Sequence, residues 1–131
     1  MQLALADGDV TTGEIGYVNA HGSSTPLNDS TETLAIKQVF GEHAFRLAVS
    51  GTKGYYGHAL GASGAIETAI CAMAFREEWI PPTVNLDAPD PACDLDHVPR
   101  HGRTGRVEHT LSNSFGFGGI NASLVFRKAE C

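Results

Sequence analysis

Apolar and polar positions follow two different periods along this chain of 131 residues. The run Ile15–Asn19, IGYVN, is short, β-branched and aromatic, the composition of a buried strand. It opens into a polar loop over 20–26, AHGSSTP. Asn28 and Asp29 then offer N-caps and Glu32 falls in a first turn. Leu34, Ala35, Val39 and Phe40 form an apolar stripe that stops at Gly41, so the spacing predicts an amphipathic helix over 30–40. Residues 46–50, RLAVS, read as a second strand, followed by a loop over 51–57. From 62 to 78 the helical pattern returns with a different surface. Ala65, Ile66, Ala69, Ile70, Cys71, Ala72, Met73, Ala74 and Phe75 leave almost no polar face before Arg76, as in a helix buried on all sides. The Pro- and Asp-rich stretch 79–104 predicts irregular surface loop. Strands over 108–113 and 121–127 flank a Gly-rich turn at 115–119. The resulting order, β-α-β-α-β-β, is an α/β layered pattern.

Composition narrows the function classes. A chain of 131 residues fits one domain and can bury a core without disulfide or metal staples. Fifteen Asp and Glu against nine Lys and Arg give a net charge of −6, which excludes a phosphate-neutralising surface for nucleic acid. No run of about 18 apolar residues is present to span a membrane, and the opening MQLALADGD has neither the basic nor the apolar region of a signal peptide. Cys71, Cys93 and Cys131 are scattered, which is no disulfide framework and points to a reducing, cytoplasmic compartment. Most of the fifteen glycines gather in a few short clusters beside His, Ser, Thr and Lys, where backbone turns sharply or approaches a ligand.

Four of these clusters hold candidate chemistry. His21 ends a buried strand and is followed by Gly22, Ser23, Ser24 and Thr25, a placement equally suited to ligand contact and to a helix-capping loop. Lys53 and His58 lie five apart in a glycine loop, suited to proton transfer or anion stabilisation. Glu67 sits mid-way along the apolar helix; a buried carboxylate requires a partner, and Lys53 is the candidate. The turn Asn113-Ser114-Phe115-Gly116-Phe117-Gly118-Gly119 exposes backbone N–H groups of the kind that make oxyanion holes. Its third glycine position holds Asn121 and no helix follows, so it is not a dinucleotide fingerprint. Cys93, Asp94, Asp96, His97 and His101 lack zinc-ligand spacing and read as solvated loop residues. Gly61-Ala62-Ser63-Gly64 is one residue short of a nucleophile elbow.

Taken in order, AHGSSTPLND, TKGYYGHALGASGAIE and LSNSFGFGGINASLVF resemble the C-terminal half of a β-ketoacyl-acyl-carrier-protein synthase, an elongating condensing enzyme. The resemblance runs over nearly the whole chain. It implies the C-terminal half of a thiolase-like fold, with residues 1–131 forming one domain whose cysteine-bearing N-terminal half lies elsewhere. It implies that His21 and His58 hydrogen-bond the malonyl thioester carbonyl, that Lys53 stands near them, and that Glu67 holds Lys53. Phe117 resembles the gating phenylalanine whose backbone N–H serves the oxyanion hole, with Phe115 in the same turn, and Ser23 and Thr25 match contacts to a phosphopantetheine arm. Asn19, Glu67, Ser112 and Asn113 match positions where some relatives hold a structural monovalent cation; no catalytic metal and no resident cofactor are implied. The residues Gly54-Tyr55-Tyr56 depart from the small and polar ones usual after the lysine. The implied partners are acyl carrier protein, the missing half and a second copy, with no nucleic acid or membrane.

None of the three cysteines fits the family nucleophile, which starts a buried helix. The resemblance implies decarboxylative Claisen condensation in fatty acid synthesis as the activity of the whole enzyme. The chain alone is expected to be inactive, with apolar surface left uncovered. A polyketide ketosynthase half and a non-catalytic scaffold half are the alternatives.

Overall fold

The computed structural model describes residues 1–129 of the chain, so Cys131 lies outside the described residues. A four-stranded mixed sheet forms the centre, in the order β2-β1-β5-β6. Its strands are β1 (Ile15–Asn19), β2 (Ala48–Ser50), β5 (His109–Phe115) and β6 (Asn121–Arg127). β1 runs parallel to both β2 and β5, and β5 pairs antiparallel with β6. Alternation along these strands sends side chains to two separate cores. Val18, Val49 and Leu111 join Leu5, Ile36 and Phe40 under α1 (Gln2–Asp7) and α2 (Asn28–Phe40). Tyr17 and Ala48 pack on the opposite face with Cys71 and Ala74 of α4 (Ser63–Glu77). Ile15 shares parity with Tyr17 yet joins the first core, because the β1–β5 register shifts between them.

The architecture expected from the pattern is present, with several elements moved. Helix α2 begins two residues before the predicted start, and its buried side is Glu32, Thr33, Ile36 and Phe40; Leu34, placed in the apolar stripe above, is 55% exposed. Thr25 Oγ1 accepts the Asn28 N–H at 3.2 Å, so the first turn is closed from the preceding loop. The second strand is shorter than 46–50, since Gly41–Arg46 coils into a 3₁₀ helix before β2. The loop over 51–57 contains a single-turn helix, α3 (Lys53–Tyr56). Within 79–104, Trp79–Ile80 (β3) and Arg103–Thr104 (β4) form a small antiparallel pair. Strand β5 spans His109–Phe115, starting one residue later and ending two later than expected.

The largest correction concerns α4. It is buried on one side only, through Ser63, Glu67, Cys71 and Ala74, while Ala65, Ala69, Ala72 and Met73 face outward. Met73 is 53% exposed. An apolar helix covered on one face agrees with the expectation that this chain presents uncovered apolar surface.

Candidate active site

The site forms where β1 and β2 end beside the continuing β5, at the carboxyl edge of the parallel strands, the usual place for ligand chemistry in α/β sheets. Asn19 pairs with Ser50 on one side and Ser112 on the other, so the loops leaving β1 and β2 start side by side while β5 runs on to Phe115. His21 leaves β1 and is 7% exposed. Its backbone N–H donates to Glu32 Oε1 at 2.9 Å, and the Gly22 N–H donates to Glu32 Oε2 at 3.0 Å. One carboxylate thus clamps two successive peptides of the loop. Gly22 is required there: its φ is +48°, and a Cβ would lie 3.0 Å from the Gly51 Cα.

Glu32 is a site residue that the sequence reading left in a helical first turn. Burial pushes its carboxyl above the ordinary range, against the opposing hydrogen bonds from Gly22, Asn113, His21 and Asn28. Asn113 Nδ2 donates to Glu32 Oε1 at 3.0 Å, tying β5 to the loop after β1. The spacing Glu32, Ile36, Phe40 could have shown it, since a residue every four positions shares one helix face with the buried apolar pair.

Lys53 and Glu67 form the pair inferred from burial. The Lys53 ammonium contacts Glu67 Oε1, with the lysine 6% and the glutamate 0% exposed. Lys53 Nζ also donates to the His21 carbonyl oxygen at 2.5 Å, and the Tyr56 hydroxyl donates to Glu67 Oε1 at 3.2 Å. The lysine therefore acts from behind His21. Burial, followed by the neighbouring Lys53 and His58, pushes the His21 imidazole down to about 4, so the ring is neutral at ordinary pH.

His58 lies with its ring edge-on to His21, centroids 5.5 Å apart. The Leu60 N–H donates to His58 Nδ1 at 3.1 Å. That donor fixes Nδ1 as the bare nitrogen and places the imidazole proton on Nε2. Phe115 tilts against His21 at 5.7 Å. An open cleft of about 1480 Å³ is lined by His21, Ser23, Thr25, Phe115 and Phe117 together with α1. Phe117 is fully exposed in the turn where Gly118 and Gly119 take φ of +77° and +82°. Ser23 Oγ lies 3.5 Å from Thr25 Oγ1 at the cleft wall.

Of the four positions matched to a monovalent cation, Asn19 and Ser112 stand opposite each other on neighbouring strands. Asn113 is committed, its Nδ2 to Glu32 and its Oδ1 to the Ser123 hydroxyl. Asn19 Oδ1 and Glu67 Oε2 are buried acceptors with no hydrogen-bond partner among the described residues. Asp94 pairs with Lys37 and Asp96 with Arg103, so these loop carboxylates serve surface ion pairs. Cys71 is sealed against the sheet and burial pushes its thiol up to about 11, far from a nucleophilic thiolate; Cys93 is half-buried in a loop.

Comparison with known proteins gives the same picture. The family profile described as "Beta-ketoacyl synthase, C-terminal domain" matches residues 1–87. A 3-oxoacyl-[acyl-carrier-protein] synthase 2 of Synechocystis is 54% identical over 127 residues, covering 97% of this chain and 30% of the relative. A nodulation protein E of Rhizobium leguminosarum bv. trifolii is 49% identical, covering 98% of this chain and 32% of the relative. The chain therefore spans about a third of the length of the curated relatives it matches. Among solved structures, a β-ketoacyl synthase from Burkholderia phymatum superposes with a TM-score of 0.93 at 44% identity, over 99% of this chain and 31% of that one. A type II polyketide ketosynthase in complex with its acyl-carrier protein superposes at 0.96 with 39% identity, over 98% of this chain and 32% of that one. The mixed sheet and its flanking helices are thus the C-terminal part of a thiolase-like ketosynthase fold. By profile, by sequence and by superposition, this chain belongs to the β-ketoacyl synthase C-terminal domain family.

Proposed function

We propose that this chain supplies the decarboxylation and oxyanion groups of a 3-oxoacyl-acyl-carrier-protein synthase. The single observation that supports the reading is the edge-on pair of His21 and His58 beside the open cleft, each held from behind by a fixed partner. A neutral imidazole offers one N–H donor, and two rings 5.5 Å apart can both reach one oxygen atom. The substrate is a malonyl thioester. Its carboxylate carbon leaves as carbon dioxide, and the freed electron pair moves into the thioester, placing negative charge on the carbonyl oxygen. Two preorganised donors aimed at that oxygen lower the barrier, each worth about 10²–10³ in rate. The enolate carbon then attacks the carbonyl carbon of an acyl thioester, a carbon–carbon bond forms, the carbon–sulfur bond breaks, and the thiolate that had held the acyl group departs without it. The cysteine that bears this acyl group is not supplied by Cys71 or Cys93. Ser23 and Thr25 face the cleft where a phosphopantetheine arm would enter, and the Phe117 turn offers backbone N–H groups to the acyl-transfer step. No further cofactor enters the proposed reaction.

The partners of this reading are acyl carrier protein, the cysteine-bearing half and a second copy, with fatty acid synthesis in the cytoplasm as the setting. Among the described residues no helix is long and apolar enough to cross a membrane. A polyketide role is the second reading, favoured by the 0.96 superposition on a polyketide ketosynthase. Incubation with acyl- and malonyl-carrier substrates tests the proposal. The 131-residue chain should form no ketoacyl product alone and should form it when the cysteine-bearing half is supplied. Product from the chain alone would overturn the assignment, and so would its absence from the completed enzyme.

A further inference from the structure

Ser63 is the first residue of α4 and is buried, yet its hydroxyl does not cap its own helix. Its Oγ lies 3.2 Å from His58 Nδ1 instead. The same nitrogen already takes the Leu60 N–H at 3.1 Å. A backbone N–H can only donate, so Nδ1 is bare, and the Ser63 hydroxyl that shares this nitrogen must donate as well. Both contacts are slightly longer than a typical single bond, as in a three-centre arrangement with one acceptor. Electron density drawn toward Nδ1 polarises the ring and makes Nε2–H a stronger donor, because hydrogen bonds in a chain reinforce one another.

We propose that Ser63 is a positioning residue for His58, its hydroxyl and the Leu60 N–H together locking the Nε2–H tautomer and sharpening that N–H toward the substrate oxygen. The inference rests on the reading of His58 as an oxyanion donor. Its support is positional as well as chemical. Ser63 and Glu67 lie one turn apart on the buried stripe of α4, so a single helix face steadies both supports of the site, Ser63 for His58 and Glu67 for Lys53. The Ser63 of the failed nucleophile elbow thus has a supporting part at the site and no nucleophilic one.

Ser63→Ala and Ser63→Thr in the whole protein test this. Malonyl-thioester decarboxylation by the alanine variant should show kcat lowered about fivefold, the rate equivalent of one neutral hydrogen bond, with KM unchanged. The threonine variant should recover most of the loss. Independently of activity, ¹⁵N resonances of the His58 ring should move apart in the alanine variant, because Nδ1 loses one of its two donors while Leu60 keeps it bare, and return in the threonine variant. Unchanged ring resonances would overturn the proposal, as would a fall in kcat/KM carried by KM or a loss that threonine does not restore. A wild-type protein that does not decarboxylate sinks the functional reading instead, and the ring resonances alone then decide whether Ser63 holds His58.

Discussion

Breaking the Lys53–Glu67 pair from one side should cost far more than removing it whole. Both side chains are almost sealed from water, at 6% and 0% exposure. Glu67→Ala leaves an ammonium in the interior with the His21 carbonyl, 2.5 Å away, as its remaining partner. Lys53→Met leaves a carboxylate with the Tyr56 hydroxyl at 3.2 Å. Removing one member of a buried ion pair costs about 3–5 kcal/mol, because the survivor is an uncompensated charge. Replacing both, as Lys53→Met with Glu67→Leu, exchanges two desolvated charges for apolar groups of similar volume and should cost roughly 0–2 kcal/mol. The coupling energy of the cycle is then about 3 kcal/mol or more. Urea unfolding of the four proteins at pH 7, followed by circular dichroism, measures it from midpoints at constant slope. The double variant should regain stability without regaining activity, since nothing then holds the His21 carbonyl. Additive single effects, or single effects below about 1 kcal/mol as for a surface pair, would refute the reasoning.

Three further outcomes follow from the same geometry. Glu32→Gln keeps one acceptor oxygen but offers an amide N–H where the carboxylate received the His21 or Gly22 N–H, and should destabilise the fold by about 2 kcal/mol in thermal or urea unfolding; a change within experimental error would show that the clamp is idle. His21 is held at about 4 against an ordinary 6.5, so between these values the unfolded chain binds a proton that the folded chain does not. Its contribution is complete above about 6.5 and is lost on acidification toward 4, on the order of 3 kcal/mol. Glu32, raised by burial, contributes with the opposite sign, so wild type is measured against His21→Gln, and a stability difference independent of pH would contradict the placement. Cys71, with its thiol pushed up to about 11, should resist alkylation at pH 8 in the folded protein while Cys93 reacts; equal labelling before unfolding would show that α4 does not pack on the sheet as described.

The β-branched and aromatic composition of IGYVN and the glycine stops were enough to place β1, α2 and the final hairpin. They failed where tertiary contacts outweighed local pattern. Leu34 looked like a core residue because it is apolar, whereas Glu32 holds the buried position because two backbone N–H groups and an asparagine satisfy its charge. The short pair β3–β4 joins segments separated by more than twenty residues in a Pro- and Asp-rich stretch, which local propensity does not encode. Helix α4 misled in the other direction. Its sequence is apolar on every face, but this chain covers only the face bearing Ser63, Glu67, Cys71 and Ala74. The chemistry was more legible than the packing. His21, Lys53, His58 and Glu67 were visible as unusual residue types in glycine-rich surroundings, and their pairing followed from the cost of burying a carboxylate. Their supports, Glu32, Tyr56 and Ser63, were hidden because each looks ordinary until the backbone brings its partner near.

In the proposed reaction His21 and His58 serve the enolate oxygen and leave acyl loading to other groups. Carbon dioxide release from a malonyl thioester, measured alongside acyl loading of the nucleophile in the whole protein, separates the two steps. His21→Ala and His58→Ala should each lower carbon dioxide release by about 10²–10³ and leave acyl loading unchanged. Loss of loading in proportion to decarboxylation, or undiminished carbon dioxide release from either variant, would contradict it.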